Sequence, residues 1–383
     1  MERDRLLTAP FVLISVASFA QGLAFNLFLH LPGYLDGLGA SEVQIGFIFG
    51  LASVAAIGVR PPIGRAMDVR GRRGVILFGG VLNVLVCGLY LGITEVGLSL
   101  YANRILHGLA QAMLFTAMFT YAADCVPARR RTEGLALFGV SGMLSMSLGG
   151  VLGDAILSRA DYSVLFAAAT GLALLSLVLS IPLRDRPRLD SPGDAEPHGF
   201  LAALGQRDLL PLWWIGAVFA TALACLFSFL KLFVESSGLG SVGGFFSAYS
   251  GAAIVMRILL GWLPDRIGPK RVLFPSLAAL SMGFVVLAYA DRAQDVLLAG
   301  VLCGLGHGFT FPILFGLVVT RTREADRGSG LAIYTALFDL GIVVGAPSFG
   351  FVIGDAGFAA AFIGAAVLVA GGASVFAIWD RGR

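Results

Sequence analysis

Charge is what this chain of 383 residues has least of: Asp, Glu, Lys and Arg together make up 13%. A water-soluble domain carries about a quarter, so the shortfall excludes a surface that faces water over most of the molecule. Cysteine is scarce too. Cys87, Cys125, Cys225 and Cys303 stand far apart in apolar stretches without CxxC spacing, which speaks against a disulfide framework or a zinc site and leaves them as small buried hydrophobes. The net charge of +3 gathers no long basic tract and no alternation of basic with aromatic residues, so nucleic acid is not an expected partner. P-loop, GxSxG and HExxH patterns and paired catalytic carboxylates are all missing, and the polar segments are too short for an enzymatic or ATPase domain. The expectation is a chain that is not an enzyme and holds no cofactor or metal.

What is abundant is apolar: 57% hydrophobic residues and 51 glycines. A membrane-crossing helix needs about 20 mostly apolar residues. Twelve stretches meet that length: 7–34, 43–67, 74–93, 98–123, 134–157, 164–183, 209–234, 242–263, 272–290, 296–319, 330–353 and 358–378. The first is too long for the apolar core of a signal peptide and lacks a small-residue cleavage pattern, so it is expected to stay in the mature protein. Of the 27 Lys and Arg, Arg159 and Arg292 fall in loops opposite the N-terminus, Arg104, Lys231 and Arg257 fall within spans, and the remainder share the N-terminal side. Basic loops mark the cytoplasm, which puts both termini there and implies a multi-pass inner-membrane protein. Topology alone accounts for most of these basic residues.

The longest polar stretch, 184–208, is rich in charge and proline and divides the spans six and six. It reads as a cytoplasmic linker between bundles at 1–183 and 209–383. The halves repeat. A shift of 197 lays Arg60, Gly64, Asp68 and Gly71 on Arg257, Gly261, Asp265 and Gly268, and a shift of 196 lays Gly108, Gln111, Arg131 and Gly134 on Gly304, His307, Arg327 and Gly330. The fold expected is all-α, with twelve transmembrane helices in two pseudo-symmetric six-helix bundles, an arrangement that places a solute site between repeats near mid-membrane.

The loops after the second and eighth spans read Gly64-Arg-Ala-Met-Asp68-Val-Arg-Gly71-Arg72-Arg73 and Gly261-Trp-Leu-Pro-Asp265-Arg266-Ile-Gly268-Pro-Lys270-Arg271. GxxxDxxGRR and its second copy closely resemble the signature loop of the major facilitator superfamily, and the likeness covers the whole chain. Locally, Gly64 and Gly261 permit close helix approach, Gly71 and Gly268 a tight turn, and the carboxylates can cap a helix or pair with arginines. The resemblance implies that these loops latch the cytoplasmic ends when the outside is open. Gly64, Asp68, Gly71, Arg72, Arg73, Arg257, Gly261, Asp265, Arg266, Gly268 and Lys270 are therefore expected in the gate. Asp124 and Arg131, from the similar loop Asp124-Cys-Val-Pro-Ala-Arg-Arg-Arg131, join them. The competing reading is that these contacts only hold the loops' shape.

Ionisable groups inside a span cost several kcal/mol unless paired or wetted, so each is a functional candidate. Asp339, about 15 Å into the eleventh span, is the deepest carboxylate and a proton-coupling candidate; the alternative is a structural partner for a backbone or arginine donor. In the resembling family the first, fourth, seventh and tenth spans line the cavity. There Gln21, Asn26 and His30 lie on the first, Arg104, His107 and Gln111 at helical spacing on the fourth, Lys231 and Glu235 on the seventh, and His307 on the tenth. Arg104 opens an RxxHG stretch resembling a fourth-helix motif associated with proton coupling, and His307 joins it as a candidate through its symmetry with Gln111. Lys231 and Glu235, four residues apart, can equally neutralise each other. In the fifth span Gly142 to Gly150 ends like the GPxxGG pattern of proton-driven antiporters, with Ser145 and Met146 at the glycine-proline site. Met113, Met118, Met143 and Met146 read as apolar filling rather than soft-metal ligands.

The function expected is a secondary transporter resembling arabinose-efflux and drug-efflux branches, moving a small solute by alternating access, as a monomer, with proton-coupled export (antiport). The alternative is a proton-coupled uptake symporter, or a uniporter, for a small polar or anionic solute or a metal complex. A non-transporting membrane sensor is a third class, and the intact loops in both halves speak against it.

Overall fold

The computed structural model describes residues 7–127, 131–185, 203–323 and 326–381. Every long element is a helix: α1 (Ala9–Leu27), α2 (Glu42–Arg70), α3 (Arg72–Leu89), α4 (Leu98–Cys125), α5 (Arg131–Leu157), α6 (Tyr162–Ser180), α7 (Leu210–Ser237), α8 (Val242–Leu260), α9 (Pro269–Ala288), α10 (Ala293–Arg321) and α11 (Arg327–Trp379). Apolar surroundings offer the backbone no partners, so a helix, which satisfies its own, is the form such segments take. Among the described residues, 11 helices are long and apolar enough to span a membrane. The last of them has 53 residues and is broken by non-helical backbone at Gly357 (φ 83°). At about 1.5 Å per residue it is roughly 80 Å long, more than twice a hydrocarbon core, so its two limbs correspond to the eleventh and twelfth spans. In the first span the helix tightens to a 3₁₀ turn at Phe28–His30 before continuing through Leu31–Gly37.

Two compact units make up the chain. One comprises residues up to Gly39 together with Leu51–Leu189, the other Ala40–Gly50 together with Asp190–Arg383. In the first unit α1 packs on α5 and α6, and α3 on α4 and α6; in the second α7 packs along α11, and α10 on α8 and α9. The core of the first includes Phe11, Ile14, Ala17, Ile76, Leu114 and Ala117. In the second, α7 is buried on nearly every face, as expected of a helix that is apolar all round. The four cysteines are free and buried, and Met113, Met118 and Met143 are packed in the interior.

The repeat is present at the level of atoms. A methyl group on Gly108 would overlap the carbonyl of Ala52, and one on Gly304 would overlap the carbonyl of Tyr249; each pair lies 196 or 197 residues from the other. The turns before α3 and α9 both use a glycine with positive φ, Gly71 (82°) and Gly268 (100°), a conformation other residues rarely adopt.

A buried polar cluster in the first unit and its apolar counterpart

Two sets of polar side chains run through the first unit. Along α1 and the 3₁₀ turn that continues it, Gly22, Asn26 and His30 follow at four-residue spacing, as do Ser145, Gly149 and Gly153 along α5. The stripes interlock, with Gly22 against Ser145, Asn26 against Gly149 and the His30 ring against Gly153. Small residues let the helices approach this closely. Asn26 Nδ2 donates to the Gly22 carbonyl (2.7 Å) and to Ser145 Oγ (3.3 Å). The fully buried His30 sets Nε2 2.9 Å from Asp154 Oδ1.

The second set joins α1, α3 and α4. Gln21 Nε2 donates to Gln111 Oε1 (3.2 Å), Gln111 Nε2 to Asn83 Oδ1 (3.0 Å), and Asn83 Nδ2 back to Gln21 Oε1 (3.2 Å), closing a ring of three carboxamides. Beside the ring, His107 Nε2 is 3.2 Å from Gln111 Nε2, and its Nδ1 lies 3.4 Å from Arg104 Nη1 and 3.5 Å from the Tyr90 hydroxyl. Phe25 and Phe28 pack edge-on against the imidazole. Arg104 and His107 are only 6% and 1% exposed, and burial of such groups demands hydrogen bonds.

The second unit meets the same positions differently. Gly341 and Gly345 of α11 press on Ala217, Ala220, Thr221 and Ala224 of α7, closing the equivalent crossing with small side chains. A shift of 197 lays Leu280 on Asn83, and a shift of 196 lays Gly300 and Cys303 on Arg104 and His107. His307 is half-buried, hydrogen-bonded through Nδ1 to the Tyr249 hydroxyl, and ringed by Phe219 and Phe311. Arg257 Nε donates to the carbonyl of the next residue, Gly308 (3.0 Å). Lys231 pairs with Glu235 at 2.8 Å, with the carboxylate 45% exposed. Asp339 is half-buried on α11 and engaged there by the surrounding protein.

The loop residues lie at helix ends. Arg72 Nε is 2.9 Å from Asp124 Oδ2, while the Arg73 amide donates to Asp185 Oδ1 (2.9 Å) and its guanidinium to the Ile181 carbonyl (3.0 Å). In the second unit Lys270, the counterpart of Arg73, meets Asp380 at 2.8 Å. Arg321 joins it through two nitrogens at 2.7 and 2.8 Å. Burial by itself would push the Asp380 carboxyl up; hydrogen bonds and charge from Arg321 and Lys270 outweigh it and hold the group below the ordinary carboxylate value. Arg266 lies over the Trp262 ring at 5.5 Å, and Gly261 packs on the Arg257 carbonyl. Gly64 and Asp68 lie within α2, and the side chains of Asp68, Arg131 and Asp265 lie outside what the structure describes.

The long apolar helices and the internal repeat define a multi-pass membrane protein. The family model of the Major Facilitator Superfamily matches residues 11–291 and 241–383, and the chain belongs to that superfamily. An uncharacterised MFS-type transporter, YhhS of Escherichia coli K12, is 27% identical over 371 residues, covering 94% of this chain and 89% of its own. Another, PA1993 of Pseudomonas aeruginosa, is 26% identical, covering 92% and 89%. Among solved structures, the nucleoside transporter NupG superposes with a TM-score of 0.81 at 13% identity, over 98% of this chain and all of its own. The human organic anion transporter MFSD10 (TETRAN) does so with 0.71 at 18%, over 98% and 99%. The expected fold and membership are therefore established, and the chain is a transporter rather than an enzyme.

Proposed function

We propose that this transporter exports a small organic solute across a bacterial-type inner membrane in exchange for protons, by alternating access, as a monomer with both termini cytoplasmic. On this reading the bundles 1–183 and 209–383 move about the linker 184–208, with the charged loops at Asp68, Arg72, Asp124 and Arg131 as their gate. The observation that carries it is the polar cluster of the first unit. Ionisable side chains in a span cost several kcal/mol, and the repeat closes the same helix crossings with Gly, Ala, Leu and Cys. The second half keeps an imidazole, His307, at the position of Gln111 but has no counterpart of Asn83, Arg104 and His107, and on this reading the first half keeps those groups for solute and protons. Exchange is supported by the fifth span only through Gly149 and Gly150, which end it like the antiporter pattern, since Ser145 and Met146 replace the glycine and proline of that pattern. Asp339, Arg104 and His307 are the proton-coupling candidates, and Gln21, Asn26, His30, His107, Gln111, Lys231 and Glu235 the cavity candidates.

A second reading is uptake of an anionic solute together with a proton. Arg104 and Lys231, cations only 6% and 9% exposed within spans, favour it. Proteoliposomes with an imposed pH gradient separate the two. A library of sugars, amphiphilic drugs, carboxylates and nucleosides is added, and solute-dependent proton movement is followed in sign. Exchange requires protons to move against the solute, co-transport with it; solute flux without proton movement in either direction sinks both. Asp339→Asn and His307→Ala are expected to weaken coupling, and full coupling in both variants would remove those two residues from the proton path.

A further inference from the structure

The ring of carboxamides has a direction, and a carboxamide turned end for end occupies the same volume while exchanging donor for acceptor. Gln21, Asn83 and Gln111 can therefore close their ring in either sense. What selects the sense lies outside it. His107 presents Nε2 to the ring-facing end of Gln111 at 3.2 Å and Nδ1 to Arg104 Nη1 at 3.4 Å. A guanidinium carries donors only, so with Arg104 in place Nδ1 offers its lone pair and the single proton of the neutral imidazole sits on Nε2. That proton needs an oxygen. In the sense opposite to donation from Gln21 to Gln111 to Asn83, Gln111 sets Oε1 where its Nε2 stands and receives that proton, Asn83 and Gln21 turn in sequence, and Asn83 Nδ2 donates to the same Gln111 oxygen. The imidazole is then clamped at both nitrogens.

We propose that His107 Nδ1 is a proton site closed by Arg104, and that Asn83 is the positioning residue that keeps Nε2 protonated by fixing the oxygen of Gln111. Loading the site breaks one hydrogen bond, from Arg104 to Nδ1, and forms one bond, from Nδ1 to the incoming proton. Nε2–H and the ring stay as they are, so exchange is confined to one nitrogen. Arg104 and the second proton exclude each other because both need the same lone pair. Around the imidazole stand Arg104 of α4, the Tyr90 hydroxyl at the end of α3 with Cys87 one turn before it, and the rings of Phe25 and Phe28; among the described residues none of its polar contacts is a carboxylate. Packing does not ask for the clamp, since the repeat places Leu280, Gly300 and Cys303 at the positions of Asn83, Arg104 and His107.

The inference rests on the proton-coupled reading, and its test is independent of transport. Protein labelled with ¹⁵N-histidine is studied by NMR in lipid nanodiscs, with the His107 signals assigned by their loss in His107→Gln. The wild type is expected to show a neutral His107 with its proton on Nε2 alone. Arg104→Met should bring out an Nδ1–H signal. Asn83→Leu, which installs the residue found at the repeat position, should speed water exchange of Nε2–H at least tenfold with Arg104 still present. A proton on Nδ1 in the wild type, or spectra unchanged in either variant, would overturn the proposal. If the tautomer results hold while proteoliposomes show no proton movement, the coupled reading fails and not the clamp; if coupling is found with the wrong tautomer, the proton path runs elsewhere.

Discussion

The two units place the same fold around opposite interiors. In the first, α1 and α5 cross through Asn26, Ser145 and the His30–Asp154 contact; in the second, α7 and α11 cross through Gly341, Gly345 and small α7 side chains. At the ends of the units the contrast reverses. Asp380 binds Lys270 and Arg321 with its carboxylate only 1% exposed, whereas Asp185, its counterpart near Arg73, lies at the surface. Because backbone and crossings agree, the contrast isolates what the polar groups add. Packing needs glycine where helices touch; it does not need amides, histidine or arginine.

The largest effect expected is at the helix ends. Asp380→Asn leaves Arg321 and Lys270, 14% and 27% exposed, facing a neutral group, and is expected to lower stability by about 1.5–3 kcal/mol. Asp185→Asn should cost less than about 1 kcal/mol. Thermal unfolding in one detergent checks both, and equal losses would break the contrast. The pH dependence has a definite sign: the folded-state value of Asp380 is depressed, so its contribution is complete above the unfolded carboxylate value near 4 and is lost as pH falls through the folded one.

Next come the shared crossings. Gly108→Leu and Gly304→Leu each force a side chain into a carbonyl, and overpacking of this kind costs about 1–3 kcal/mol or more. Similar losses in folded yield support the symmetry; tolerance of one and not the other would show that only one crossing is tight. Leu280→Asn places a carboxamide where the second unit offers no ring, at about 1–3 kcal/mol. Chemical denaturation should show that penalty, and its absence would mean that water or a neighbour already serves that position. Last comes Glu235→Gln. The Lys231–Glu235 pair joins a 10% exposed ammonium to a 45% exposed carboxylate, and its removal should cost about 1 kcal/mol, a difference to be sought in unfolding midpoints at low and high salt.

Several site residues were legible one helix at a time. The i, i+3, i+7 spacing of Arg104, His107 and Gln111 puts them on one face, and the structure brings all three into one network. The i, i+4 pairing of Lys231 with Glu235 is likewise local. Asn83, Tyr90 and Asp154 were not marked by any such spacing, because each meets partners on other helices. A lone amide in the apolar third span was a signal of a kind, since a polar group there has to find a partner. Asp380 carried none: one carboxylate beside the C-terminal arginines looks like any charged helix end until Lys270 and Arg321 converge on it.

By itself the sequence determined the class of molecule, its spans, the repeat and the glycines at the turns before α3 and α9. Those follow from local rules, namely the length of apolar chain needed to satisfy a backbone away from water and the backbone freedom a missing Cβ leaves. Only the tertiary structure decided that Gln21, Asn83 and Gln111 close into a ring, that His107 is held at both nitrogens, and that Asp380 gathers two cations. Hydrogen bonds between helices depend on rotation and depth of each helix against its neighbours, and no periodicity within a single helix encodes where a side chain 62 or 90 residues away in the chain will stand.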